Sequence, residues 1–174
     1  MGHGRIIIGH TPKIGSVNII GSSGGALVGI NVALEAPELV GKLIADSFEG
    51  ERPLPSFTAT VEADREASKR GPDGRQFYEY MHGYDWEMVV DQDTSAIVRY
   101  QKEIGVFFHK ELQPIKTEIL LTANREDEFG LAYGREFFET VYLELIAKIG
   151  HGQRYLFDTG DTPLSSPIKR VFVS

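Results

Sequence analysis

Apolar positions change their period along the chain, and those changes outline its elements. Ser16-Val17-Asn18-Ile19-Ile20 is a short β-branched run that stops at Gly21-Ser22-Ser23-Gly24-Gly25. A run of this kind ended by glycine predicts a buried strand over 16–20. Leu27, Ile30 and Leu34 then recur at steps of three and four, so 26–36 reads as a helix that Pro37 and Glu38 close. A second apolar run covers 40–45 and ends at Asp46-Ser47. Strand, helix and strand at this spacing form a βαβ unit with parallel strands.

From residue 48 to about 114 no buried-strand pattern occurs. Pro53, Pro55, Gly71, Pro72, Gly74 and Gly83 punctuate polar helical stretches. The highly charged stretch 58–70 reads as a helix with one solvated face, 76–82 is rich in aromatics, and 85–109 holds one or two amphipathic helices. The sheet pattern resumes at 117–122 (Thr-Glu-Ile-Leu-Leu-Thr). Phe137, Val141, Leu145 and Ile149 recur every fourth residue and predict a helix over 136–149, and 154–157 is a last strand before a loop and a short apolar tail. The expected fold class is therefore α/β, a mostly parallel sheet flanked by helices. Its core is split into 1–47 and 115–174 by a helical insertion over 48–114.

Composition narrows the function. The chain has 174 residues, a hydrophobic fraction of 41% and a charged fraction of 25%, values of an ordinary globular domain and not of a disordered chain. It contains no cysteine, which excludes a disulfide framework, a thiol nucleophile and a cysteine zinc site. With 25 Asp+Glu against 18 Lys+Arg and a net charge of −7, it lacks the clustered positive charge of a nonspecific nucleic-acid binder. No apolar run approaches the ~20 residues of a membrane span. The start, Met1-Gly2-His3-Gly4-Arg5, lacks the layout of a secretory signal, so a cytoplasmic location is expected. No set of His and carboxylate residues has metal-ligand spacing.

Gly21-Ser22-Ser23-Gly24-Gly25 fits Gly-x-Ser-x-Gly between a strand and a helix. So tight a turn holds its central residue in a strained conformation, and small neighbours, Gly21 and Gly25, let strand and helix approach. The Ser23 hydroxyl then projects above the sheet as a nucleophile. The Gly24 N–H, at the helix start, becomes an oxyanion donor, worth on the order of 3 kcal/mol in the transition state. The alternatives are a Gly/Ser turn without chemical use and a dinucleotide-binding turn with Asp46 as the ribose-binding acid. The fingerprint Gly-x-Gly-x-x-Gly of the latter is not met.

A serine nucleophile needs a base, and the base needs an orienting acid. Asp127, in the loop after strand 117–122, is the candidate acid, because sites gather at the carboxyl ends of parallel strands. Asp46, also ending a strand, is the reserve, and a merely solvated acidic loop is the bland reading of 126–128. The base belongs in the loop after the last strand, Asp158-Thr159-Gly160-Asp161-Thr162-Pro163-Leu164, which contains no histidine. The histidines are His3, His10, His82, His109 and His151. His151 precedes the last strand and so belongs at the wrong edge of the sheet, more than roughly ten ångströms away. His82 and His109 lie in the insertion.

At these residues the chain resembles the α/β-hydrolase fold family. Val17 to Leu27, followed by Ala36-Pro37-Glu38-Leu39-Val40, resembles the family's nucleophile region, and 115–129 is similar to its acid-bearing strand and turn. Thr159-Gly160-Asp161-Thr162-Pro163 is similar to its histidine loop, and Gly2-His3-Gly4 to the string after an earlier strand. The resemblance implies hydrolysis of a small ester or related acyl compound, through an acyl-enzyme and without a cofactor. Ser23, Asp127 and the histidine position, here Thr162, would be catalytic, with Gly24 in the oxyanion hole and 48–114 as a cap. A threonine hydroxyl is no general base near neutral pH, so an impaired enzyme, or a non-catalytic relative binding a ligand or partner under the cap, is also expected. The family's first strands and second oxyanion donor would precede Gly4. The sheet edge left without them predicts a homo-oligomer that covers it.

Overall fold

The computed structural model describes residues 15–158. Its strands are β1 (Val17–Ser22), β2 (Val40–Asp46), β3 (Glu118–Asn124) and β4 (Gln153–Phe157). They form a single sheet in the order β1-β2-β3-β4, and every neighbouring pair is parallel. The helices are α1 (Gly24–Glu35), α2 (Pro55–Arg70), α3 (Pro72–His82), α4 (Trp86–Glu103), the single turn α5 (Glu128–Leu131) and α6 (Phe137–Ile149). The architecture is the parallel α/β sheet flanked by helices that the patterning predicts. The loop with Thr162, the string at His3 and His10 lie outside the described residues.

Alternation along the strands separates two faces. Leu43, Ala45, Ile119, Leu121 and Ala123 are buried together with Ile30, Ala33 and Leu34 of α1 and Phe138, Tyr142, Leu145 and Ile149 of α6. Burying each such side chain contributes about 1.5–3 kcal/mol, so this face carries the core. Ile20 and Tyr155, on the opposite face, are largely exposed. Among the described residues α1 and α6 thus dress this one face of the sheet. Gly29 lets α1 lie close: a Cβ there would stand 2.9 Å from Leu43 Cδ1.

The stretch 48–114 contains α2, α3 and α4. Pro55 and Pro72 do not interrupt helices but open them, since the first turn needs no N–H donor there. Gly74 sits inside α3, where a Cβ would come within 2.3 Å of the Ser68 carbonyl oxygen, so it marks close contact with α2 and not a break. The charged face of α2 is less solvated than its composition suggests. Arg65 and Lys69 bridge to Asp93 and Asp91 of α4 at 2.6 Å each, while Thr58 and Val61 are buried. From the far end of this stretch the Phe107 carbonyl accepts from Asn31 Nδ2 (2.8 Å), and His109 N–H donates to Asn31 Oδ1 (3.0 Å), which ties the segment to α1.

Candidate active site

β1 passes directly into α1 through Ser23, whose φ of 52° and ψ of −122° lie in a region that L residues avoid. Holding a residue there costs about 1–3 kcal/mol, so the surroundings must enforce it. Two contacts do so. The Ser23 N–H donates to the Asp46 carbonyl at 2.8 Å, pinning the turn to β2. A Cβ on Gly21 would lie 2.2 Å from the Gly25 carbonyl oxygen, so only glycine lets the first turn of α1 fold over the strand end. The expectation that Gly25 is equally required is corrected: nothing among the described residues comes within 4 Å of a Cβ there.

Ser23 is exposed, and although it occupies the N-cap position its side chain makes no capping hydrogen bond. Its hydroxyl is therefore not consumed by the helix. Gly24 opens α1, where backbone N–H groups have no intrahelical acceptor and the helix dipole favours negative charge. Ser23, Gly24 and Asp127 border one cavity of about 290 Å³, together with Ser47, Glu49, Phe57 and Phe129.

Asp127 comes after β3 and is 3% exposed. Its Oδ1 accepts from the N–H groups of Phe129 (2.8 Å) and Gly130 (3.3 Å), capping α5. The same loop is fixed to β4 by Arg125 N–H donating to the Phe157 carbonyl at 2.9 Å. The acid thus stands on a rigid support, and the short helix it caps carries no periodic signal in the sequence.

Asp46 is placed differently. It is 2% exposed, and its carboxylate accepts from Thr122 Oγ1 at 2.6 Å and Ser22 Oγ at 3.1 Å. Burial raises its pKa, against the pull of these hydroxyls and that of Ser47. The carboxylate is engaged within one row across the sheet, Ser22, Asp46 and Thr122, and does not border the cavity. That placement argues against both the ribose-binding role and the reserve role as orienting acid.

His151 Nε2 lies 2.7 Å from the Ile115 carbonyl, ahead of β4 and at the opposite end of the sheet from Ser23. His82 ends α3, and His109 lies 3.8 Å from Glu35. Among the described residues no histidine borders the Ser23 cavity, and no group of His, Asp and Glu could hold a metal. No described helix is long and apolar enough to cross a membrane.

Sequence reasoning missed Glu49 and Ser47. Burial raises the Glu49 pKa, against the effect of its own backbone hydrogen bond. No periodicity singles it out, because it stands in an irregular segment. Ser47 was legible in principle, since Asp46-Ser47 ends β2 as Ser22-Ser23 ends β1.

No protein-family model matches the chain, and no curated protein matches it in sequence. Solved structures do match its fold. NosK from Streptomyces actuosus superposes with a TM-score of 0.62 at 12% identity, over 84% of this chain and 60% of that one. An α/β-hydrolase enzyme from a Medee basin deep-sea metagenome gives 0.58 at 15%, over 92% and 63%. A meta-cleavage product hydrolase from Pseudomonas fluorescens gives 0.55 at 17%, over 84% and 57%. The chain spans about three-fifths of the length of each. It has the α/β-hydrolase fold.

Proposed function

We propose that the chain is a serine hydrolase acting on an ester or related acyl compound, with 48–114 as its cap. The observation that carries the reading is the exposed Ser23 hydroxyl, held by a strained strand-to-helix turn in a cavity it shares with the buried Asp127. In this reading Ser23 Oγ attacks the substrate carbonyl, its proton passes by way of water to the leaving alcohol, and a further water cleaves the acyl-Ser23 ester and restores the hydroxyl. The Gly24 N–H donates to the oxygen that becomes negative. Asp127 stands where it would orient a base. Acyl transfer of this kind needs neither metal nor cofactor. By resemblance the base position is Thr162, whose hydroxyl accepts no proton near neutral pH. The rate should then fall to the roughly 10³–10⁴-fold assistance that oxyanion donors and binding supply without a full triad.

Hydrolysis of 4-nitrophenyl acetate tests this. A slow rate above background that disappears in Ser23→Ala supports it, and an equal rate in Ser23→Ala overturns it. The second reading is a non-catalytic relative that binds its ligand under the cap, favoured by the absence of a described histidine from the cavity. It expects no hydrolysis, and ligand affinity that survives Ser23→Ala.

A further inference from the structure

A groove of about 520 Å³ runs between α1 and α4. It shares Gly24, Leu27, Asp93, Ile97 and Phe107 with the Ser23 cavity, so the two adjoin. On α1 it tracks residues 24, 27, 28, 31, 32 and 35, the spacing of one helical stripe. From Gly24 to Glu35 that stripe is about 16 Å long.

Part of this stripe leans on the core and part stands open: Leu27 and Val32 are half-buried against it. The core side of α1 is Ala26, Gly29, Ile30, Ala33 and Leu34. A surface helix is normally polar away from its core side, yet Val28 stands there 63% exposed and continues the apolar surface of Leu27 and Val32. The facing wall brings Ala96, Ile97 and Tyr100 of α4. The polar side chain midway, Asn31, is engaged by Phe107 and His109 and holds the groove's third wall in place. At the far end Glu35 pairs with Lys110 at 2.8 Å, and Asp93, shared with the Ser23 cavity, pairs with Arg65 at 2.6 Å, so both carboxylates of the groove are engaged by cations.

We propose that this groove receives an unbranched apolar chain of the substrate, whose ester group lies at Ser23. An extended chain of about a dozen carbon atoms matches the length of the stripe. The cavity end adds a restriction on charge. Glu49, Asp93 and Asp127 border it against the single guanidinium of Arg65, which Asp93 already pairs, so the reacting end of the substrate carries no negative charge. The substrate class is an uncharged long-chain ester, of which only the reacting end occupies the 290 Å³ cavity. The inference rests on the reading of Ser23 as nucleophile, and its test separates the two.

The direct test is calorimetric titration of the Ser23→Ala protein with neutral, uncleavable primary amides from butanamide to decanamide. Affinity should rise about two- to threefold per added methylene, as for partly buried apolar surface. The gain should vanish in the Ser23→Ala protein carrying Ala96→Trp, where an indole fills the groove from an exposed position on α4. Val28→Trp, exposed on the other wall, should act alike. Equal affinity at all chain lengths, or an unaltered series in both tryptophan variants, overturns the proposal. Labelling of the wild-type chain by a fluorophosphonate reports on Ser23 separately. A chain-length gain without labelling keeps the groove and removes the nucleophile, and labelling without a gain does the reverse.

Discussion

Both β1 and β2 stop at a serine held at positive φ, 52° at Ser23 and 49° at Ser47. Each serine N–H reaches sideways to a carbonyl of the next strand at 2.8 Å, Ser23 to Asp46 and Ser47 to Thr122. The ladder pairs Gly21 with Ala45 and Ser22 with Asp46, so the two turns occupy equivalent places one strand apart. Beyond the two serines the chain takes different paths. After Ser23 it enters α1 at once, which requires Gly21 and leaves the hydroxyl exposed beside helix N–H groups. After Ser47 it runs into an irregular segment, Ala45 is tolerated, and Ser47 is only 7% exposed. In the proposed function, strain alone therefore does not single out the nucleophile. The helix after Ser23 supplies both the exposure and the donors.

The largest effect should come from restoring a base. Thr162→His is expected to raise ester hydrolysis about 10³-fold, and adding Asp127→Asn should cancel most of the gain. A rate that stays flat, or a gain that survives Ser23→Ala, would break the distinction between the two turns. Next is the glycine. Gly21→Ala should destabilise the fold by about 3 kcal/mol or more in urea unfolding, because the clashing atom is backbone. Ala45→Gly, at the equivalent place, should cost only about 1 kcal/mol. Equal costs would mean that the turns are alike after all.

Asp127 has a structural part that substitution can separate from the chemical one. Asp127→Ala should lose about 1 kcal/mol with the cap of α5, whereas Asp127→Asn keeps an acceptor and most of that stability. The smallest effect concerns Asp46, which touches both turns. Burial makes its carboxyl hold the proton more tightly in the folded chain than in the unfolded one. Its contribution to stability is therefore complete below its ordinary value of 3.8 and is lost as pH rises through the raised value. Asp46→Asn lacks that loss, so its stability relative to wild type should improve as pH rises above about 4. Parallel stability curves for the two proteins would contradict the assignment.

The sheet and its helices were legible because each strand holds a short apolar run, Ile19-Ile20, Leu43-Ile44-Ala45, Ile119-Leu120-Leu121 and Tyr155-Leu156-Phe157, and α1 and α6 repeat every third or fourth residue. Ser23 was legible because Gly-x-Ser-x-Gly stands between two such elements. The starts of α2 and α3 are harder to read, since a proline that opens a helix looks in sequence like one that breaks it. Single-residue geometry carries no periodic signal. Glu49 enters the cavity from an irregular segment, Asp127 caps a helix of four residues, and the apolar stripe of α1 shows its meaning only once α4 stands opposite.

The central claim is that Ser23 is a nucleophile while Ser47, with a similar positive φ, is not. Prolonged incubation of the wild-type chain with a fluorophosphonate, followed by peptide fragmentation, addresses it directly. The expected result is a slow adduct located on Ser23, none on Ser47, and none in Ser23→Ala. An unmodified Ser23 after prolonged exposure, or an adduct on Ser47, would contradict it.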